Sequence, residues 1–189
     1  MYQSKIFLSI LLIFALCFTF QTAGMAKILF EDDFEGDTIG KEPKKWKYDP
    51  TAEVKDIGKV DKDPLNPNNK VLTNYGGHLA DNGATYTDFV VEWDWMFHKD
   101  NNRNNSMGVR VQNANAHYQL SRRSGGNDWK IYMFNGAWNE IVTAVFPTDI
   151  DKWYRVQLSV MGDEFIVKAK EKKDNTPFKE LKQIGRAHV

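Results

Sequence analysis

The sequence is short of sulfur chemistry, of net charge and of long apolar runs. Its 25 Lys and Arg balance 25 Asp and Glu, which removes the electrostatic case for a nucleic-acid partner. The one long apolar run, Ile6 to Phe20, is shorter than the ~20 residues a membrane span needs. Preceded by Lys5 and followed by small residues ending at Gly24 and Ala26, it reads as a secretory signal peptide over 1–26, which places the protein outside the cytoplasm, secreted or periplasmic. The single cysteine, Cys17, lies inside that run, and Leu16 before it is not the small residue a lipid-anchor site prefers. The mature chain is therefore expected to carry no thiol, no disulfide and, after cleavage, no membrane attachment. Helical periodicity, tandem repeats and linkers are also missing. The remaining residues suit one domain with a real core, since 42% of the 189 residues are hydrophobic and 13% aromatic.

What is present is alternation. In Asp88 to His98, DFVVEWDWMFH, Phe89, Val91, Trp93, Trp95 and Phe97 share one parity, and Val90, Glu92, Asp94, Met96 and His98 the other. A strand sends those two sets to opposite faces. Five large apolar groups on one face need a second layer to cover them, which predicts two packed sheets. The same alternation recurs in Met107 to Gln112, His117 to Ser121 and Lys152 to Met161, and Trp129 to Phe134, Trp138 to Val145 and Phe165 to Ala169 read as further strands. Asn113-Ala114-Asn115, Asn135-Gly136 and Gly162-Asp163 supply turns between them. Earlier in the chain, Ile28 to Phe34 reads as a first strand and Glu53 to Val60 as a second. Asp61 to Asn69, with its two prolines, reads as a loop, and Lys70 to Tyr75 as a returning strand. Strands with turns every 8–12 residues predict an all-β antiparallel sandwich or barrel.

The order LFEDDFEG, Trp46, DFVVEWDWMF, NSMGVRV and WYRVQLSVMGDEFIV resembles the concanavalin A-like lectin/glucanase jelly rolls. Within them it is most similar to the LamG-like domain of secreted bacterial proteins labelled 3-keto-disaccharide hydrolase. Asp88-Phe89, Asn105-Ser106 with Gly108 and Arg110, and Trp153-Tyr154 with Gly162 carry that likeness, and Met107 departs from it by interrupting the Asn-Ser-Gly element. The resemblance implies a jelly-roll β-sandwich spanning 27–183. It is expected to be truncated at its C-terminus, because IGRAHV at 184–189 reads as a translated sequencing adapter.

In such folds the outward side of a concave sheet binds ligand. Carrying strand parity over, that face is expected to hold Glu92, Asp94, His98, Arg110, Gln112, His117, Gln119, Trp153, Arg155 and Gln157, groups suited to sugar hydroxyls, with Trp153 as a stacking ring. The implied function is binding of a polysaccharide or oligosaccharide. The alternatives are a sugar-processing hydrolase of the keto-disaccharide type and a structural or adhesion module without a sugar site. Glu92 and Asp94 echo the carboxylate strand of the fold's glycosidases, but Met96 and Phe97 stand where the second glutamate of a retaining pair belongs. His98 and His117 are the remaining candidate bases. No cofactor is expected. The fold leaves room for a structural calcium in the full-length protein, for which Asp32 and Asp33 are the candidate ligands, although alternation sends them to opposite faces.

Overall fold

The computed structural model describes residues 27–48, 58–73, 80–81, 83–97, 105–113, 115–122, 127–173, 175 and 177–184. The chain divides after Asp32. Residues 27–32, the described part of the first unit, carry no regular structure. The strands among the described residues belong to the second unit, from Asp33 onward.

Those strands are β1 (Lys47–Tyr48), β2 (Lys59–Asp63), β3 (Asn66–Thr73), β4 (Ala80–Asp81), β5 (Phe89–Met96) and β6 (Asn105–Asn113). They continue as β7 (Ala116–Arg122), β8 (Asp128–Asn135), β9 (Trp138–Val145), β10 (Trp153–Met161), β11 (Glu164–Glu171) and β12 (Lys179–Ile184). Two four-stranded antiparallel sheets result, in the orders β12-β11-β10-β5 and β6-β7-β8-β9, with β2–β3 and β1–β4 as small separate pairs. The chain leaves the first sheet after β5, runs the whole second sheet as a meander, and returns to lay β10 against β5, with Val156 opposite Trp93 and Arg155 opposite Asp94.

The two sheets face each other across one core, as the alternation requires. Tyr154, Val156, Leu158 and Val160 of β10 and Phe165, Val167 and Ala169 of β11 are all buried. All of them except Tyr154 form one cluster with Val109, Tyr118, Leu120, Trp129 and Ile131 from the other sheet. Phe89, Val91, Trp93 and Trp95 pack against this cluster and Phe97 is part of it, so the aromatic parity of β5 faces inward as expected. The layers touch ring to ring, Trp95 against Trp129 at 5.5 Å and Tyr118 against Phe165 at 5.1 Å between centroids. Burying each such side chain contributes roughly 1.5–3 kcal/mol, which is what replaces disulfides here.

Three local expectations change. Residues 28–33 form no strand. Carboxylates crowd that run, and Asp33 Oδ1 accepts the Glu35 amide at 3.1 Å, a local turn that competes with strand pairing. Asp61 to Asn69 is a tight hairpin rather than a loop, because the buried Asp63 carboxylate accepts the Leu65 amide at 2.9 Å and the Asn69 side-chain amide at 3.2 Å, folding the chain back at Pro64-Leu65. β12 was invisible in the alternation. It adds a strand beyond β11, and Leu181 is the described residue through which it reaches the core.

Candidate functional site

The topology separates residues that parity alone had placed on one surface. Glu92, Asp94, Trp153, Arg155 and Gln157 belong to β5 and β10, whereas His117 and Gln119 belong to β7 in the opposite sheet. Each set faces away from the shared core, so the two form separate surfaces with the core between them. His98 lies outside the described residues.

Arg110 leaves the strand pattern but stays beside His117, in the lining of one pocket with it. Along β6 the pairing jumps from Val109↔Tyr118 to Asn113↔Ala116, so Arg110, Val111 and Gln112 bulge opposite His117 alone, and Arg110 adopts φ 50°. A bulge of this kind cancels the alternation beyond it. The Arg110 side chain turns across the end of the sandwich, donates to the Gly162 carbonyl and lies 5.3 Å from the centroid of Phe165. Its role there is to tie the meander to the β10–β11 turn. Gln112 stays exposed at the rim of a pocket of about 190 Å³ whose other walls include Ala116, His117, Met133 and Phe134.

On the β5–β10 surface the charged groups satisfy one another. Arg155 grips Asp94 with two hydrogen bonds, Nε to Oδ1 at 2.8 Å and a terminal guanidinium nitrogen to Oδ2 at 3.1 Å. Lys172 Nζ approaches Asp94 Oδ2 to 2.9 Å, and Arg155 reaches Glu92 at 3.5 Å. Gln157 donates to Glu92 at 3.3 Å. Burial works to raise the Asp94 pKa, but the hydrogen bonds and charges of Arg155 and Lys172 outweigh it and hold the carboxyl below its ordinary value. An acid pinned this way is a poor proton donor, and the arginine sits between the two carboxylates that a glycosidase would need free. Trp153 is engaged too. Its indole N–H donates to Asp63 at 3.2 Å and Lys172 lies 5.6 Å from its ring.

The outward face of the β6–β9 sheet is built differently. Because Trp129, Ile131 and Met133 of β8 turn to the core, Lys130, Tyr132 and Phe134 turn outward, beside His117 and Gln119 of β7 and Trp138 of β9. His117 stands opposite Phe134, Gln119 opposite Tyr132, and Phe134 opposite Trp138. The four rings form one cluster. Trp138 lies 4.5 Å from Phe134, 5.7 Å from Tyr132 and 5.8 Å from His117, and His117 lies 5.5 Å from Phe134. Trp138 nevertheless remains 55% exposed.

A polar border adjoins these rings. Gln119 donates to Ser106 at 2.7 Å, Ser106 bonds Ser121 at 3.1 Å, and Lys130 meets Glu140 at 2.6 Å. An apolar ring platform with amides, hydroxyls and a charged pair along its edge can hold a flat, hydroxyl-bearing molecule. Sequence reasoning found His117 and Gln119 but missed Tyr132, Phe134 and Trp138. Both parities of β8 contain aromatic residues, so alternation gave no sign of which set faced out.

Among the described residues no group of three or more His, Cys, Asp or Glu is placed to hold a metal ion. Asp33 serves the turn noted above, and Asp32 belongs to the first unit.

No family model matches the chain, and no curated protein matches it. Among solved structures, the carbohydrate binding module CBM66 from Bacillus subtilis is similar at TM-score 0.57 and 19% identity, over 77% of this chain and 81% of that one. A functionally unknown protein from Saccharomyces cerevisiae matches at TM-score 0.41 and 9% identity, over 70% and 68%. At 19% identity the first likeness speaks for the fold. With the two antiparallel sheets above, it makes this chain a jelly-roll β-sandwich.

Proposed function

We propose that this protein is a secreted saccharide-binding module whose ligand lies across the outward face of the β6–β9 sheet, with Trp138 as the stacking ring. The observation that carries the reading is the exposed Trp138 indole, set on a strand face among His117, Tyr132 and Phe134 rather than buried with the other ring clusters. A large aromatic surface left in water costs hydrophobic free energy, and a sugar ring offers the matching apolar C–H face with hydroxyls around its rim. The fold shared with a protein described as a carbohydrate binding module supports the same reading, and the N-terminal apolar run supports secretion. The β5–β10 face is the less suitable of the two, since Trp153, Asp94 and Arg155 are already committed to partners within the protein.

Affinity electrophoresis through gels carrying single polysaccharides tests this. Retardation of the wild-type protein in at least one gel, lost in Trp138→Ala with the melting temperature kept, is the expected result. Passage through every gel without retardation favours the structural or adhesion module, and release of sugar from a 3-keto-disaccharide favours the hydrolase.

A further inference from the structure

Beside Trp138 lie polar atoms that have no hydrogen-bond partner among the described residues. Both imidazole nitrogens of His117 and the hydroxyl of Tyr132 are buried and lack a hydrogen-bond partner. His117 is only 6% exposed. Buried polar groups are nearly always paired, so two such groups on one face need a reason. Their placement supplies it. They are diagonal neighbours on β7 and β8, since Gln119 opposes Tyr132 and Phe134 opposes His117, and the Trp138 ring lies against both. The imidazole also walls the pocket beside Gln112 and Arg110, whose guanidinium is engaged by the Gly162 carbonyl and the Phe165 ring. Trp138 itself begins an edge strand directly after the Asn135–Ala137 turn, where Gly136 takes φ 85°. Its ring is therefore the one in the cluster with room to swing outward.

We infer that His117 and Tyr132 are the hydrogen-bonding residues through which this face recognises a neutral polyhydroxylated ring, and that Trp138 covers them until the ligand enters. This rests on the saccharide reading above and gives it a ligand class. A neutral imidazole offers one donor and one acceptor, and a phenol offers both. Adjacent sugar hydroxyls, each also donor and acceptor, satisfy that set. A carboxylate, which only accepts, leaves the imidazole acceptor unpaired. The unpaired atoms are then a cost carried by the free protein and relieved on binding.

Tyr132→Phe removes the hydroxyl and keeps the ring, and His117→Phe keeps a ring of similar shape, with His117→Leu in reserve should the first fail to fold. Each is expected to raise the melting temperature of the free protein by roughly 2–4 °C, because an unpaired buried group has been deleted. Each is also expected to weaken retardation in gels of β-glucan, xylan, mannan or fructan by about fivefold or more, while polygalacturonate retards the wild type least. In a Trp138→Ala background water reaches the phenol, so Tyr132→Phe should leave the melting temperature unchanged.

Tyr132→Phe and His117→Leu binding like the wild type, while Trp138→Ala does not, would overturn this inference and leave the saccharide reading standing. A fall in melting temperature with Tyr132→Phe, or preference for polygalacturonate, would also overturn it. No retardation of the wild type in any gel removes both readings together.

Discussion

Asp94→Asn is the substitution with the most to say about the β5–β10 surface. It keeps the side-chain shape but removes the charge that Arg155 and Lys172 share. The Asp94 side chain is 23% exposed, against 39% for Arg155 and 41% for Lys172, so water screens the cations more than the acid. Fully exposed pairs contribute ~0–1 kcal/mol, and charge-assisted hydrogen bonds in buried settings ~1.5–3 kcal/mol. The two-point Arg155 contact in this half-buried position falls between them, at about 1–2 kcal/mol. For a domain of this size that lowers the melting temperature by roughly 3–6 °C at neutral pH.

The pH dependence has a definite sign. The folded-state pKa of Asp94 is depressed, so its contribution is fully present above the unfolded carboxylate pKa of about 3.9 and disappears as pH falls through the lower folded value. Scanning calorimetry of wild type and Asp94→Asn from pH 7 down to pH 2 should show a gap that is constant to about pH 4 and closes below it. Raising the salt concentration should narrow the gap at pH 7. Equal melting temperatures at pH 7, or a gap that widens on acidification, would refute the account of Asp94 as a pinned carboxylate.

Two further outcomes test how the sandwich is held. Arg122 is buried, with Nε donating to the Thr148 hydroxyl at 2.8 Å, a terminal nitrogen to the Thr148 carbonyl at 2.9 Å, and the guanidinium 4.1 Å from the centroid of Phe97. Arg122→Ala should cost ~2–4 kcal/mol in urea unfolding, while Arg122→Met, which fills the stem volume without bringing a charge inside, should cost less than half as much. Asp63→Ala leaves the Leu65 and Asn69 donors and the Trp153 indole without their acceptor. It should cost ~1–3 kcal/mol and speed hydrogen exchange across β2–β3 more than in β10.

The layer structure was legible because burial and strand period coincide. Phe89, Val91, Trp93, Trp95 and Phe97 had no other way to escape water, and the buried alternation of β10 follows the sequence residue by residue. The site was legible only in part. Parity tells which residues share a strand face, but says nothing about which sheet a strand joins, so Asp94 and His117 looked like neighbours. The bulge after Val109 removed Arg110 from the pattern, and no turn residue announces it. Tyr132 and Phe134 escaped notice because aromatic residues ordinarily mean core and β8 carries them on both faces, and Trp138 because it is the lone aromatic residue of β9, its face set by its partner Phe134.

The insertion of the meander between β5 and β10 has a consequence for how this chain reaches its final form. Bringing those two strands together from an extended coil means closing a very long loop, whose entropy cost grows only slowly with length but must be met before any contact rewards it. Hairpins β6–β7, β7–β8 and β8–β9 each close locally, and once they collapse the long loop shrinks to the width of a folded sheet. A lesion in the Asn135–Ala137 turn should therefore slow the arrival of β5 beside β10, although it touches neither strand.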